Sequence, residues 1–129
     1  MKSATAMTTY TVDFGRPRIA KPVAVPVGRV PRVARVLALA HRIDAMIRAG
    51  ELKDLAEAAR VVGVTRARMT QIMNLMLLAP KIQEEILELP PVAQGRDPIS
   101  ERQPRAIVGE PVWERQMARW ASIRAEAEP

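Results

Sequence analysis

Between Phe14 and Trp113 the chain contains no aromatic residue, so any core across that stretch must be built from Leu, Ile, Val, Met and Ala. Side chains of this size suit closely packed helices better than a sandwich of strands, which draws on alternating β-branched and aromatic residues. Apolar residues make up 48% of the 129 positions, enough for one core in a chain of ordinary domain length. The expectation is a mainly α-helical, compact domain.

Hydrophobic spacing and punctuation divide the chain into three regions. Over residues 1–30, Tyr10, Val12 and Phe14 alternate with Thr11 and Asp13, the period of one short strand. Pro17, Pro22, Pro26 and Pro31 then interleave with Arg16, Arg18, Lys21 and Arg29 as an extended basic arm. Residues 31–90 form the expected core. Pro31 opens a first helix that runs to Gly50, with Val33, Val36, Leu37, Ala40, Ile43 and Ile47 on its inner face and Arg32, Arg35, Arg42 and Arg48 on others. Helices follow at Asp54–Val62, at Thr65–Leu77 and from Pro80, the last with Ile82, Ile86 and Leu89 inward and Glu84, Glu85 and Glu88 outward. Residues 91–129 begin within a loop spanning 90–98. A brief helix from Ser100 to Val108 follows, then a final one from Pro111 that carries Trp113, Met117 and Trp120 at i, i+4, i+7. That stripe is either core or a dimer interface, since tryptophan favours both.

The net charge of +6 is unevenly spread: residues 1–50 hold nine Lys/Arg against two Asp/Glu, and residues 77–129 hold seven against nine. A basic front half implies a polyanion on one side of the molecule. The absence of cysteine excludes disulfides and thiolate metal sites and fits a reducing cytoplasm. His41 stands alone and reads as a partly buried structural residue. The acidic trio Glu84, Glu85 and Glu88 has no histidine, cysteine or aspartate beside it. No phosphate-cradling glycine loop or nucleophile–base pair is visible, so no enzyme activity, metal or cofactor is expected. No apolar run approaches the roughly 18 residues of a membrane helix, and a soluble cytoplasmic protein without a membrane partner is the expectation.

The stretch Asp54-Leu-Ala-Glu-Ala-Ala-Arg-Val-Val-Gly-Val-Thr-Arg-Ala-Arg-Met-Thr-Gln-Ile-Met-Asn74 meets the demands of a helix-turn-helix. Ala59 is small where two helices would cross, Gly63 suits the turn, Thr65 can cap the second helix, and Val64, Met69 and Ile72 point inward. What remains outward is Arg66, Arg68, Thr70, Gln71 and Asn74, with no acid to repel phosphate. Arginine bonds guanine edges bidentately, and glutamine or asparagine adenine edges. Arg66, Ala67, Thr70 and Gln71 are the base-edge candidates and Arg68 the phosphate candidate. Arg16 and Arg18 on the arm either track phosphates or belong to a linker.

Residues 67–87 (Ala-Arg-Met-Thr-Gln-Ile-Met-Asn-Leu-Met-Leu-Leu-Ala-Pro-Lys-Ile-Gln-Glu-Glu-Ile-Leu) resemble the ParB/KorB-type helix-turn-helix. They are closer still to the C-terminal helical region of large serine recombinases of mobile elements and their small stand-alone relatives. Ala38-Leu-Ala-His-Arg42 before the motif and Gly95-Arg-Asp-Pro-Ile-Ser-Glu-Arg102 after it extend the likeness. The resemblance implies DNA binding with Thr65, Arg66, Arg68, Thr70 and Gln71 in the matching positions. It does not imply catalysis, because the recombinase catalytic serine in an arginine-rich domain has no counterpart among Ser3, Ser100 and Ser122. The expected partner is double-stranded DNA; a symmetric homodimer is the usual arrangement for such a motif but no sequence feature requires it, and a serine recombinase is the further partner that the resemblance leaves open. The expected role is a regulator or recombination accessory factor, against the alternative of a helical adaptor docking through the Trp113/Trp120 face.

Overall fold

The computed structural model describes residues 28–128; the strand expected at residues 10–14 and the arm with Arg16 and Arg18 lie outside the described residues. Among those described the fold is mainly helical, as expected, with six α-helices and no strand. They are α1 (Arg32–Arg48), α2 (Leu55–Val62), α3 (Arg66–Asn74), α4 (Pro80–Leu87), α5 (Arg102–Arg105) and α6 (Trp113–Ala127), with a 3-10 turn at Leu75–Leu77 joining α3 to α4.

Helix α1 is the axis on which the rest is built. The apolar row read from its sequence is buried from Val33 through Ile43, with Ile47 half-buried. Its first half packs with Ile72, Leu75, Leu78, Ile82, Ile86, Ile107 and Trp120 in the main core. Its second half, through Ile43, packs with Leu52, Ala58, Ala59 and Met69 in a smaller one. Each large aliphatic side chain removed from water contributes about 1.5–3 kcal/mol, so the two clusters lock α1 to both ends of the helical array. Pro31 caps α1 rather than entering it, and it has no side-chain donor or acceptor to offer. The free Arg32 N–H donates instead to an Asp97 carboxylate oxygen at 2.8 Å, placing an anion at the positive end of the helix.

Asp97 belongs to the segment expected to be a plain loop, and here the structure adds order. Arg29 and Val92 form an antiparallel bridge with backbone hydrogen bonds of 3.0 and 2.8 Å. The Arg29 guanidinium donates to the Gly95 carbonyl at 2.8 Å and to Asp97 at 2.6 Å. The chain entering α1 is thereby stapled to the loop after α4.

Four expectations need correction. The Trp113/Met117/Trp120 stripe is not one face: Trp120 is 1% exposed, Met117 half-buried and Trp113 54% exposed. The inward face of α6 keeps Trp120 but turns away from Trp113 to take in Gln116. Its amide accepts the Ala79 N–H at 2.7 Å and donates to the Glu110 carbonyl at 2.8 Å, satisfying backbone groups at the starts of two helices. Glu85 does not face outward with Glu84 and Glu88; it accepts from the Trp120 indole at 2.9 Å and from Arg124 at 3.0 Å. His41 is exposed rather than partly buried. Gln83 spends its amide N–H groups on the Met76 and Leu78 carbonyls, so its oxygen faces His41 Nε2 at 2.7 Å and that nitrogen donates. The helix expected from Ser100 to Val108 shortens to the single turn α5, with Pro104 buried within it.

Candidate nucleic-acid interface

The motif closes as its residues demand. Asp54 accepts the Glu57 N–H at 2.9 Å, and the Glu57 carboxylate accepts the Lys53 N–H at 2.6 Å, capping α2 from both directions. Gly63 ends α2 in the left-handed region (φ 87°, ψ 34°), and its N–H and that of Val64 both donate to the Ala59 carbonyl. Thr65 caps α3 by accepting the Arg68 N–H at 3.0 Å. Ala58, Ala59, Met69 and Ile72 are buried, which seats α3 firmly against α2 and α1.

Arg66, Ala67, Thr70 and Gln71 are exposed on α3, and Asn74 is half-buried at its end. Arg66 forms no ion pair among the described residues, and α3 bears no acidic residue. The Thr70 hydroxyl donates to the Arg66 carbonyl at 3.1 Å, leaving its oxygen outward as an acceptor.

Arg68 is placed differently from the outward phosphate contact expected of it. Its guanidinium grips Glu101, beside α5, through two hydrogen bonds of 2.5 and 2.7 Å, and Arg105 adds a third at 3.1 Å. Glu101 is only 8% exposed. The Arg68 hydrogen bond, opposed by burial and joined by Arg105, holds the Glu101 carboxyl below its ordinary value, while the same bond raises Arg68. Sequence periodicity could not reveal this pairing, because Glu101 lies 33 positions away across a loop.

A cleft beside α3 brings in two cations that the sequence placed only on another face of α1. Arg32 and Arg35 line it together with Val36, Leu39, Val62, Val64, Arg68 and Ile72. Both guanidinium groups lack an ion-pair partner among the described residues, and both residues are exposed. The available signal was the i, i+3 spacing of Arg32 and Arg35 on the first turn of α1, which puts both on one side of the helix. A separate groove between α4 and α6 carries Glu85, Glu88 and Glu128 with Arg124 as its only basic lining residue. Among the described residues no cluster of three or more His, Asp or Glu is placed to hold a metal ion, and no helix is long and apolar enough to cross a membrane.

No family model, curated protein or solved structure matches the chain.

Proposed function

We propose that the chain is a sequence-specific double-stranded DNA-binding protein, acting as a transcriptional regulator or recombination accessory factor of a mobile element. The observation that carries this reading is the acid-free, exposed face of α3 (Arg66, Ala67, Thr70 and Gln71), presented by a Gly63 turn and a buried Ala58/Ala59 seat. A helix so mounted can enter the major groove, where arginine and glutamine discriminate base edges. Arg32 and Arg35 at the flanking cleft supply phosphate attraction without sequence information, and Arg16 and Arg18 of the arm extend it. The likeness of residues 67–87 to the ParB/KorB-type motif and to serine recombinase helical regions supports the same reading.

The test is enrichment of sites from a random duplex pool by the purified protein at about 50 and 200 mM salt, beside an Arg66→Ala/Gln71→Ala variant. A defined site bound by the wild type, and bound roughly ten- to a hundredfold more weakly by the variant, is the expected result. Weak, sequence-blind binding equal in both proteins would sink the reading.

A second reading, a helical adaptor for a recombinase, draws on the 54% exposed Trp113, although buried Trp120 cannot share that surface. It expects Trp113→Ala to abolish recombinase capture while the Arg66/Gln71 variant leaves it intact.

A further inference from the structure

The pair between Arg68 and Glu101 reaches one residue further, onto the base-reading face. Arg68 Nη1 donates to the Gln71 side-chain oxygen at 3.3 Å while also bonding Glu101 Oε2. The second guanidinium nitrogen is held by Glu101 Oε1 at 2.7 Å. A guanidinium has donors only, so the group of Gln71 that faces it must be the carbonyl oxygen and cannot be the amide nitrogen. The Gln71 NH₂ is left pointing away from Arg68.

We infer that Glu101 and Arg68 are positioning residues that fix the amide of Gln71, so that Gln71 presents its NH₂ to the partner and selects hydrogen-bond acceptors on a base edge. This rests on the DNA-binding reading above and adds which edge chemistry that residue selects. In the major groove, acceptors are purine N7, guanine O6 and thymine O4, whereas the cytosine amino group is a donor. A freely rotating glutamine could turn either end outward and would discriminate less. Three features make the Arg68–Glu101 end of the relay stiff, and a single 3.3 Å hydrogen bond carries it to Gln71. The two-pronged Arg–carboxylate geometry fixes the guanidinium plane, Glu101 is 8% exposed, and Arg105 holds its Oε2 from the other side at 3.1 Å. Neither Glu101 nor Arg68 needs to touch DNA, and the neutralised Arg68 is a poor phosphate contact because releasing it would strand a buried carboxylate.

The experiment is site enrichment with the wild type, Gln71→Ala, Glu101→Gln and Arg68→Lys, with thermal unfolding of each. The position whose base preference disappears in Gln71→Ala is the one Gln71 reads. In Glu101→Gln and Arg68→Lys, preference at that position alone is expected to fall from roughly tenfold toward parity, with cytosine gaining most and other positions unchanged in the folded variants. An unchanged profile in both variants overturns the relay, and so does a uniform loss at every position, which would mean a strut between helices and nothing more. The wild type also carries a direct readout. Separate, slowly rotating Arg68 Nη–H resonances, retained on adding the enriched duplex, are expected, and a single averaged guanidinium signal overturns the inference. A wild type that enriches no site defeats the DNA-binding reading itself, an outcome distinct from failure of the relay on a site that is bound.

Discussion

At Gly28 the position a β-carbon would occupy lies 2.7 Å from the Val92 carbonyl oxygen, and φ is 137°. Both the conformation and the close approach exclude a side chain. The obstacle is backbone that also carries the Arg29–Val92 bridge, so it cannot simply swing aside. Gly28→Ala is therefore expected to lower stability by about 1–3 kcal/mol, read by urea denaturation. Gly63 is different: a β-carbon there meets nothing within 4 Å, so Gly63→Ala costs only the left-handed backbone, about 1–2 kcal/mol. The contrast marks what a sequence discloses. Gly63 stands inside a patterned motif and announces its turn, whereas Gly28 acquires its constraint from Val92, a residue no local pattern connects to it. Gln116 was hidden for a related reason. A polar residue on an amphipathic helix reads as solvent-facing, yet it is 1% exposed because Ala79 and Glu110 need its two ends. Gln116→Leu keeps the volume and strands the Ala79 N–H, an expected loss of about 1–3 kcal/mol from that group alone, measurable in the same way.

Among the elements, the starts of α1 to α4 are legible to within a residue because each has a period of 3.6 and a recognisable start or stop (Asp54, Gly63, Thr65, Pro80), whereas α3 ends at Asn74, three residues short of the expected Leu77, and passes into a 3-10 turn. The C-terminal third was less so. The two tryptophans suggest a shared face for α6 that the structure splits: Trp120 is anchored by Glu85 of α4, whereas Trp113 is exposed and Gln116 lies inward in its place. Helix α5 is a single turn, too short for periodicity to define, and it matters because Glu101 beside it joins α3. That junction has a pH signature. Arg68, despite burial, keeps Glu101 below its ordinary value of 4.5, so above that value the folded and unfolded forms are both ionised and the pair contributes fully. As pH falls below it, the unfolded chain takes up a proton that the folded chain resists, and the stabilisation drains away until the folded group is itself protonated. Asp97 behaves likewise, lowered first by the Arg32 N–H and then, against burial, by Arg29. Glu101→Gln is thus expected to melt below the wild type at neutral pH, with the gap closing as pH falls through the ordinary carboxylate range. A gap that stays constant with pH would assign the loss to packing alone.

Over the whole molecule, the distribution of paired and unpaired arginines says more than the net charge. Arg29, Arg48, Arg68, Arg105 and Arg124 are each paired with a carboxylate, Arg68 and Arg105 sharing Glu101. Arg32, Arg35 and Arg66, on α3 and the cleft beside it, form no ion pair among the described residues, and neither do Arg42, Arg60, Arg96, Arg102, Arg115 and Arg119 elsewhere. For a DNA-binding chain this makes charge removal position-dependent in a way that salt titration resolves, because each phosphate neutralised on duplex DNA contributes about 0.9 to the log–log slope. Arg35→Ala is expected to lower that slope by about one such unit and to weaken all sequences alike. Gln71→Ala should leave the slope in place and flatten base preference. Arg124→Ala removes a cation already committed to Glu85 in the α4–α6 groove, and both quantities should stay at their wild-type values. The pair on α1 then decides how the cleft is used. Arg32 and Arg35 are one helical turn apart, close enough to meet one phosphate or to straddle two. If the Arg32→Ala/Arg35→Ala variant loses about twice the slope of either single change, two phosphates are held. If each single change leaves the slope near its wild-type value and only the double loses about one unit, both guanidinium groups share one phosphate, and the cleft holds it from two sides.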